Sequence, residues 1–304
     1  MEHAPPSKVA LIADAAPDVG LGHLTRTGAV AAALVARGRS VSCHGFGAAR
    51  VIERDGLTWH PLEPGAPPPE AGLRLVDSYR MDAAELPADV PLVVMHDRGD
   101  PPPNAARVVS VASPETGERW LSGLRHACLR RSFWGLPPGS VRRSLERVLV
   151  TTGAGDPGAQ AYSIAAAVKR AVPDARVELV IGPQSAAGAP PGVFELRTND
   201  LLPTLRAVDL VVTGAGQTML EAMAVGCPCI AVVLSDNQRP QADLAAEADA
   251  VRVVREPSPH DVENCVRDVA ASRDARVVLS RTAQATVDGY GSLRVAFAID
   301  ELLG

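Results

Sequence analysis

Aromatic residues are scarce in this 304-residue chain, with phenylalanine, tyrosine and tryptophan together making up 3% of it. Blocks of lysine and arginine are missing too, and the formal net charge is -5. A nucleic-acid groove needs the opposite, a basic stripe with stacking rings, so no nucleic-acid partner is expected. The five cysteines (Cys43, Cys128, Cys227, Cys229, Cys265) form no metal-ligand pattern, and Cys227-Pro228-Cys229 has the wrong spacing for a CxxC site. They read as reduced, packed thiols, with no metal site. No apolar run approaches the roughly 20 residues that span a bilayer, and Met1 to Ser7 lacks a charged-then-apolar leader. The expectation is a soluble, cytoplasmic protein with no membrane partner.

What is present is a length of 304 residues, enough for one large or two medium domains, and a 46% hydrophobic share, enough for a sizeable core. Val9 to Ala13 reads as a buried strand and Thr27 to Ala36 as a helix, joined by a glycine-bearing turn. Strands follow at Ser40–His44, Leu73–Asp77, Pro91–Met95 and Arg107–Val111, with a helix expected over Ala48–Asp55. Glu115 to Pro138 is irregular and reads as the end of a first domain, residues 1–140. Alternation resumes over 141–304, with the last helix, from Leu293, a candidate to pack back on the first domain. This is an α/β pattern of two Rossmann-like domains, each with a mostly parallel sheet, facing a central cleft.

In such sheets ligands sit beyond the C-terminal strand ends. Those ends carry Asp14, Asp77-Ser78-Tyr79 and His96-Asp97, all expected near the turn Gly20-Leu21-Gly22-His23-Leu24-Thr25-Arg26. Each carboxylate is equally readable as a helix cap or a turn residue. Histidine is the side chain best suited to moving protons near neutrality, so His23 is the candidate catalytic group; the alternative is a structural hydrogen bond. Arg26 on the same helical turn either braces the turn or touches ligand.

In the second half, Gly214-Ala215-Gly216-Gln217-Thr218 opens a helix and offers amides and positive dipole to an anion, or is only a tight connection. Glu221, further along that helix, is placed to accept the hydroxyls of a ribose or to sit at the surface. Asp236-Asn237-Gln238 brings amide donors to an adjacent strand end, suited to a diphosphate without a metal, since no cluster has the carboxylate-rich pattern of a Mg²⁺ cage.

In this order and spacing the segments resemble the PseG/SpsG family, nucleotide-sugar hydrolases of nonulosonic acid biosynthesis with the GT-B fold of MurG-type glycosyltransferases. The resemblance covers nearly the whole chain. It runs from Asp14, the Gly20-to-Arg26 turn and Asp77-Ser78-Tyr79 through Gly123 to Phe133, Gly155-Asp156-Pro157 and Ile181-Gly182-Pro183. It continues in Gly214 to Glu221, Asp236-Asn237-Gln238 and Asp288-Gly289-Tyr290-Gly291. It implies inverting hydrolysis of a UDP-sugar without a cofactor. His23 would activate water, Gly20 and Gly22 would admit the sugar, and Asp77 and Tyr79 would face it. Gly216, Asn237 and Gln238 would hold the phosphates, and Glu221 the ribose.

Two positions depart from the family pattern: Ile12 replaces an arginine usual two residues before Asp14, and His96-Asp97 replaces an acidic pair. Both are expected on the sugar side, so a different sugar or acceptor is the hypothesis. A GT-B glycosyltransferase using a small soluble acceptor is the first alternative, and a non-catalytic nucleotide-sugar binding protein the second. CMP- or TDP-linked donors stay open beside UDP, as does the oligomeric state.

Overall fold

The first apolar run forms β1 (Val9–Asp14), buried along its whole length because helices or loops cover both faces of a parallel sheet. In the computed structural model, which describes residues 8–16, 21–153, 159–181 and 188–304, β1 leads to α1 (Gly22–Ala36), β2 (Val41–Phe46), β3 (Ile52–Arg54) and β4 (Leu57–Leu62). Next come β5 (Leu73–Asp77), β6 (Leu92–Met95), β7 (Arg107–Ser110) and β8 (Trp120–Ser122). The second half comprises β9 (Arg147–Thr151), α2 (Ala159–Ala171), β10 (Arg176–Val180), β11 (Val193–Leu196) and α3 (Leu202–Leu205). It continues with β12 (Leu210–Gly214), α4 (Gln217–Val225), β13 (Cys229–Val232), α5 (Arg239–Glu247) and β14 (Arg252–Val254). The helices α6 (Pro259–Ala271), α7 (Arg273–Thr286) and α8 (Gly291–Leu303) complete the chain.

The chain divides into two units, one of Met1–Trp134 with Tyr290–Gly304, the other of Gly135–Gly289. The first holds an eight-stranded sheet in the order β3-β4-β2-β1-β5-β6-β7-β8, parallel except for the β3–β4 pair. The second holds a six-stranded parallel sheet, β11-β10-β9-β12-β13-β14. Helix α8 belongs to the first unit: Val295, Ala296 and Ile299 share a core with Val30 and Leu34 of α1. Among the described residues no helix is long and apolar enough to cross a membrane.

One local expectation fails. Residues 48–55 form no helix; Ile52–Arg54 pairs antiparallel with β4 across Asp55-Gly56, both at positive φ (51° and 76°). Asp-Gly is the residue pair that such a two-residue hairpin turn demands, and that local geometry overrides the weak helical pattern. Helix α1 starts at Gly22, so His23 and Arg26 lie in its first turns.

The side-chain alternation of the strands sorts the first unit's core into two faces. Leu11, Leu75 and Val93 pack with α1 and α8 on one face. Ile12, Val76, Val94 and Val108 pack on the other. This parity decides which strand-end residues can reach α1.

Candidate active site

Asp77 continues the Leu73–Leu75 row, and Asp97 the Val93–Met95 row, so both carboxylates emerge on the α1 side of the sheet. On α1, His23, Arg26 and Thr27 are spaced i, i+3 and i+4 and therefore share one face. The two sets meet. Asp77, fully buried, accepts from His23 Nδ1 at 2.7 Å, from Arg26 Nε at 2.7 Å and Nη2 at 2.6 Å, and from Thr27 Oγ1 at 2.9 Å. Arg26 Nη1 donates to Asp97 at 2.7 Å, and the Tyr79 hydroxyl donates to the same Asp97 oxygen at 2.7 Å. The Tyr79 ring stands edge-on to His23, with centroids 4.5 Å apart, and the Arg98 guanidinium lies 3.9 Å over the Tyr79 ring. Sequence reasoning missed Thr27 and Arg98; Thr27's i+4 spacing from His23 was the available signal.

The electrostatics follow from this packing. Burial opposes ionisation of Asp77, but the paired Arg26 guanidinium and the His23 contact outweigh it and hold the carboxyl well below the usual range. Burial likewise opposes charge on Arg26, and the two carboxylates reverse the balance, raising its pKa well above the ordinary value. Burial first, then the neighbouring Asp97, pushes the Tyr79 hydroxyl up to about 12, so it stays a donor. With Asp77 acceptor-only, the neutral form of His23 carries its proton on Nδ1 and presents the lone pair on Nε2. Among the described residues Nε2 has no hydrogen-bond partner. This is the arrangement of an imidazole base oriented by a buried carboxylate.

Parity also corrects three expectations. Asp14 follows Ile12 on the opposite face, where it accepts from the Ser78 hydroxyl and, at 2.7 Å, from the Tyr79 backbone N–H. It braces the loop after β5 and does not meet His23. His96 likewise lies off the α1 face, and its Nε2 is 2.9 Å from the Gly99 carbonyl, closing a local turn. Ile12 is fully buried in the core of that second face, so the departure there is a packing change, not a contact beside His23. Gly22 heads α1, exposed, with nothing near the position of a Cβ. Gly20, Gly155-Asp156-Pro157 and Gly182-Pro183 lie outside the described residues.

In the second unit, the turn Gly214-Ala215-Gly216 joins β12 to α4. The Ala215 N–H donates to Val232 and the Gly216 N–H to Gly214, so these two amides serve the turn itself. A Cβ on Gly214 would come within 2.9 Å of Leu234 Cδ1 and 3.2 Å of the Thr152 carbonyl, which makes that glycine a packing requirement. Gly216 is different: the nearest neighbour of a Cβ there is Gln238 Nε2, at 3.7 Å. The head of α4, at Gln217 and Thr218, presents the helix's positive end beside that amide. Gln238 Oε1 accepts from the Leu234 N–H at 3.0 Å, which fixes the side chain, and Asn237 Oδ1 accepts from Ser235 at 2.6 Å. Gln241, which sequence reasoning missed, donates from α5 to the Ala215 carbonyl and pins the turn. Asp236 is exposed, 3.6 Å from Arg239, and Glu221 is buried within α4.

No protein-family model matches the chain, and no curated protein matches it in sequence. Its architecture does match solved structures. The spinosyn rhamnosyltransferase SpnG complexed with thymidine diphosphate superposes with a TM-score of 0.69 at 15% identity, covering 98% of this chain and 100% of that one. The chain has the GT-B fold. The glycotransferase of kitacinnamycin gives a TM-score of 0.67 at 16% identity, covering 98% and 100% of the two chains. The Streptomyces sp. SF2575 glycosyltransferase SsfS6, complexed with thymidine diphosphate, gives 0.65 at 15% identity, covering 97% and 99%. At such identities the likeness establishes the GT-B architecture alone.

Proposed function

We propose that this protein is a glycosyltransferase that moves a sugar from a uridine or thymidine diphosphate donor to a hydroxyl of a small acceptor. The observation that carries this is the His23–Asp77 contact of 2.7 Å, which leaves Nε2 as the base. The glycosyltransferase architecture favours transfer over the hydrolysis that the PseG/SpsG resemblance implies. Nε2 takes the acceptor hydroxyl proton as that oxygen bonds to the anomeric carbon. The bond from that carbon to the phosphate oxygen breaks with inversion, and the nucleoside diphosphate leaves. Asp77 stabilises the imidazolium that forms. In the second unit the head of α4, with Gln217 and Thr218, takes the diphosphate, assisted by Gln238 and Asn237. Glu221 takes the ribose.

Hydrolysis is the second reading. It keeps every role and puts water in place of the acceptor, and the burial of His23 to 7% exposure beside Tyr79 favours so small a nucleophile. Incubation with a panel of UDP- and TDP-sugars, with and without hydroxyl acceptors, separates the two. Diphosphate release that requires an acceptor and disappears in His23→Ala supports transfer. Release from the donor alone, equally dependent on His23, replaces transfer with hydrolysis. Release that His23→Ala leaves untouched refutes both.

A further inference from the structure

The contacts of Arg26 close a ring: His23 to Asp77, Asp77 to Arg26, Arg26 to Asp97, Asp97 to Tyr79, and Tyr79 edge-on to His23. Every donor of Arg26 with an assigned contact is spent on a carboxylate of its own unit. Nε and Nη2 fork onto the two oxygens of Asp77, and Nη1 reaches Asp97. We infer that Arg26 and Asp97 are positioning residues that hold the His23–Asp77 pair in register and balance its charge. This rests on His23 being the base of the proposed reaction.

The geometry gives the reason. A carboxylate that meets an imidazole through one oxygen can swing about its own bond. The Arg26 fork on both Asp77 oxygens, with Thr27 on one of them, removes that freedom. Asp97 in turn fixes the fork's remaining arm and the Tyr79 hydroxyl, and so fixes the ring against His23. In charge, Asp77 and Asp97 face one permanent cation, Arg26. The cluster is therefore one negative charge in excess while His23 is neutral and balanced when His23 takes its proton.

The other groups facing it do not alter that count. Tyr79 stays neutral, and Cys128, from the segment after β8, has a thiol pushed by burial to about 12 and is neutral as well. Arg98 lies over the outer face of Tyr79 at the solvent boundary, and Asp14 is turned to Ser78 on the opposite face of the sheet.

The test is the His23 imidazole titration in the free protein, followed by NMR and assigned among the seven histidines with His23→Gln. Removing the cation in Arg26→Gln moves the titration to higher pH. Removing the anion in Asp97→Asn moves it to lower pH, and Arg26→Lys, which keeps the charge, leaves it near wild type. In turnover, Arg26→Lys loses the fork and lowers kcat about 10- to 100-fold with KM nearly unchanged, the signature of misorientation. No movement, or movement in the same direction for Arg26→Gln and Asp97→Asn, overturns the inference, as does a change in KM alone. Should Arg26→Gln not fold, Asp97→Asn decides by itself, because asparagine still reaches Arg26 and Tyr79. Titration shifts without turnover on any donor would refute the glycosyl-transfer reading and leave the linkage intact. Turnover without the shifts would do the reverse.

Discussion

Replacing Asp77 by asparagine tests stability and chemistry at one position. Asp77 is fully buried and accepts four hydrogen bonds, three of them from Arg26 and His23. Asparagine keeps the volume but turns one oxygen into a donor facing other donors, and it removes the charge opposite Arg26. Breaking a buried ion pair from one side costs about 3–5 kcal/mol. Arg26 keeps Asp97 at 2.7 Å, which places the cost near the low end, about 3 kcal/mol. For a unit of roughly 150 residues that lowers the melting temperature by about 6–12 °C.

The pH dependence has a definite sign. The folded state holds the Asp77 carboxyl below its unfolded value of about 3.9. Its stabilisation is therefore complete above that value and is lost as pH falls toward the depressed one. The carboxyl's own contribution to the gap between wild type and Asp77→Asn should be complete above about pH 5 and begin to narrow as pH falls below about 4. Urea unfolding by circular dichroism at pH 6 and pH 3.5 measures it. A gap under about 1 kcal/mol at pH 6, or one unchanged at the lower pH, would refute the reasoning.

Further outcomes follow from the same geometry. His23→Ala should lower turnover about 10²- to 10⁴-fold while leaving nucleoside diphosphate affinity, read by calorimetry, unchanged. Gly214→Ala should destabilise the second unit by about 1–3 kcal/mol in urea, since its Cβ meets Leu234 and the Thr152 backbone. Gly216→Ala, with no neighbour nearer than 3.7 Å, should fold normally yet weaken diphosphate binding. Burial pushes the thiols of Cys43, Cys128 and Cys227 to about 12 and that of Cys265 to about 11. A thiol reagent at pH 8 should therefore label Cys265 slowly in the folded protein and all five only after unfolding.

The alternation of apolar runs was legible because parallel strands buried on both faces are hydrophobic without interruption. Val9 to Ala13, Leu92–Met95 and Cys229–Val232 all show it. The left-handed C-cap of α4 at Gly226, φ 72°, follows from glycine as the default residue there. The Asp55-Gly56 hairpin is also written in the residues, although the stretch before it carries a short helical pattern. Strand β14 (Arg252–Val254) is too brief to stand out from its neighbours; pairing with β13 makes it a strand.

In the site, His23 and Asp77 could be named from the chain, but their partners depend on strand parity. Counting odd and even positions back from Asp77 and Asp97 to the apolar rows of β5 and β6 would have joined them to α1. The same count would have set Asp14, Ile12 and His96 apart. What no count reveals is the Arg26 fork, which requires the distance between α1 and two strand ends.

The return of α8 to the first unit has a consequence for how the protein is made. Val295, Ala296 and Ile299 fill a core that α1 and the sheet leave open, yet they are translated after all of residues 135–289. During synthesis the second unit is complete, and free to fold, while the first still exposes the apolar flank of Val30 and Leu34. Helix α1, which carries His23, thus gains α8 as a packing partner only once that helix has left the ribosome. A chain stalled before Gly291 would have a finished second unit and an unfinished, aggregation-prone first.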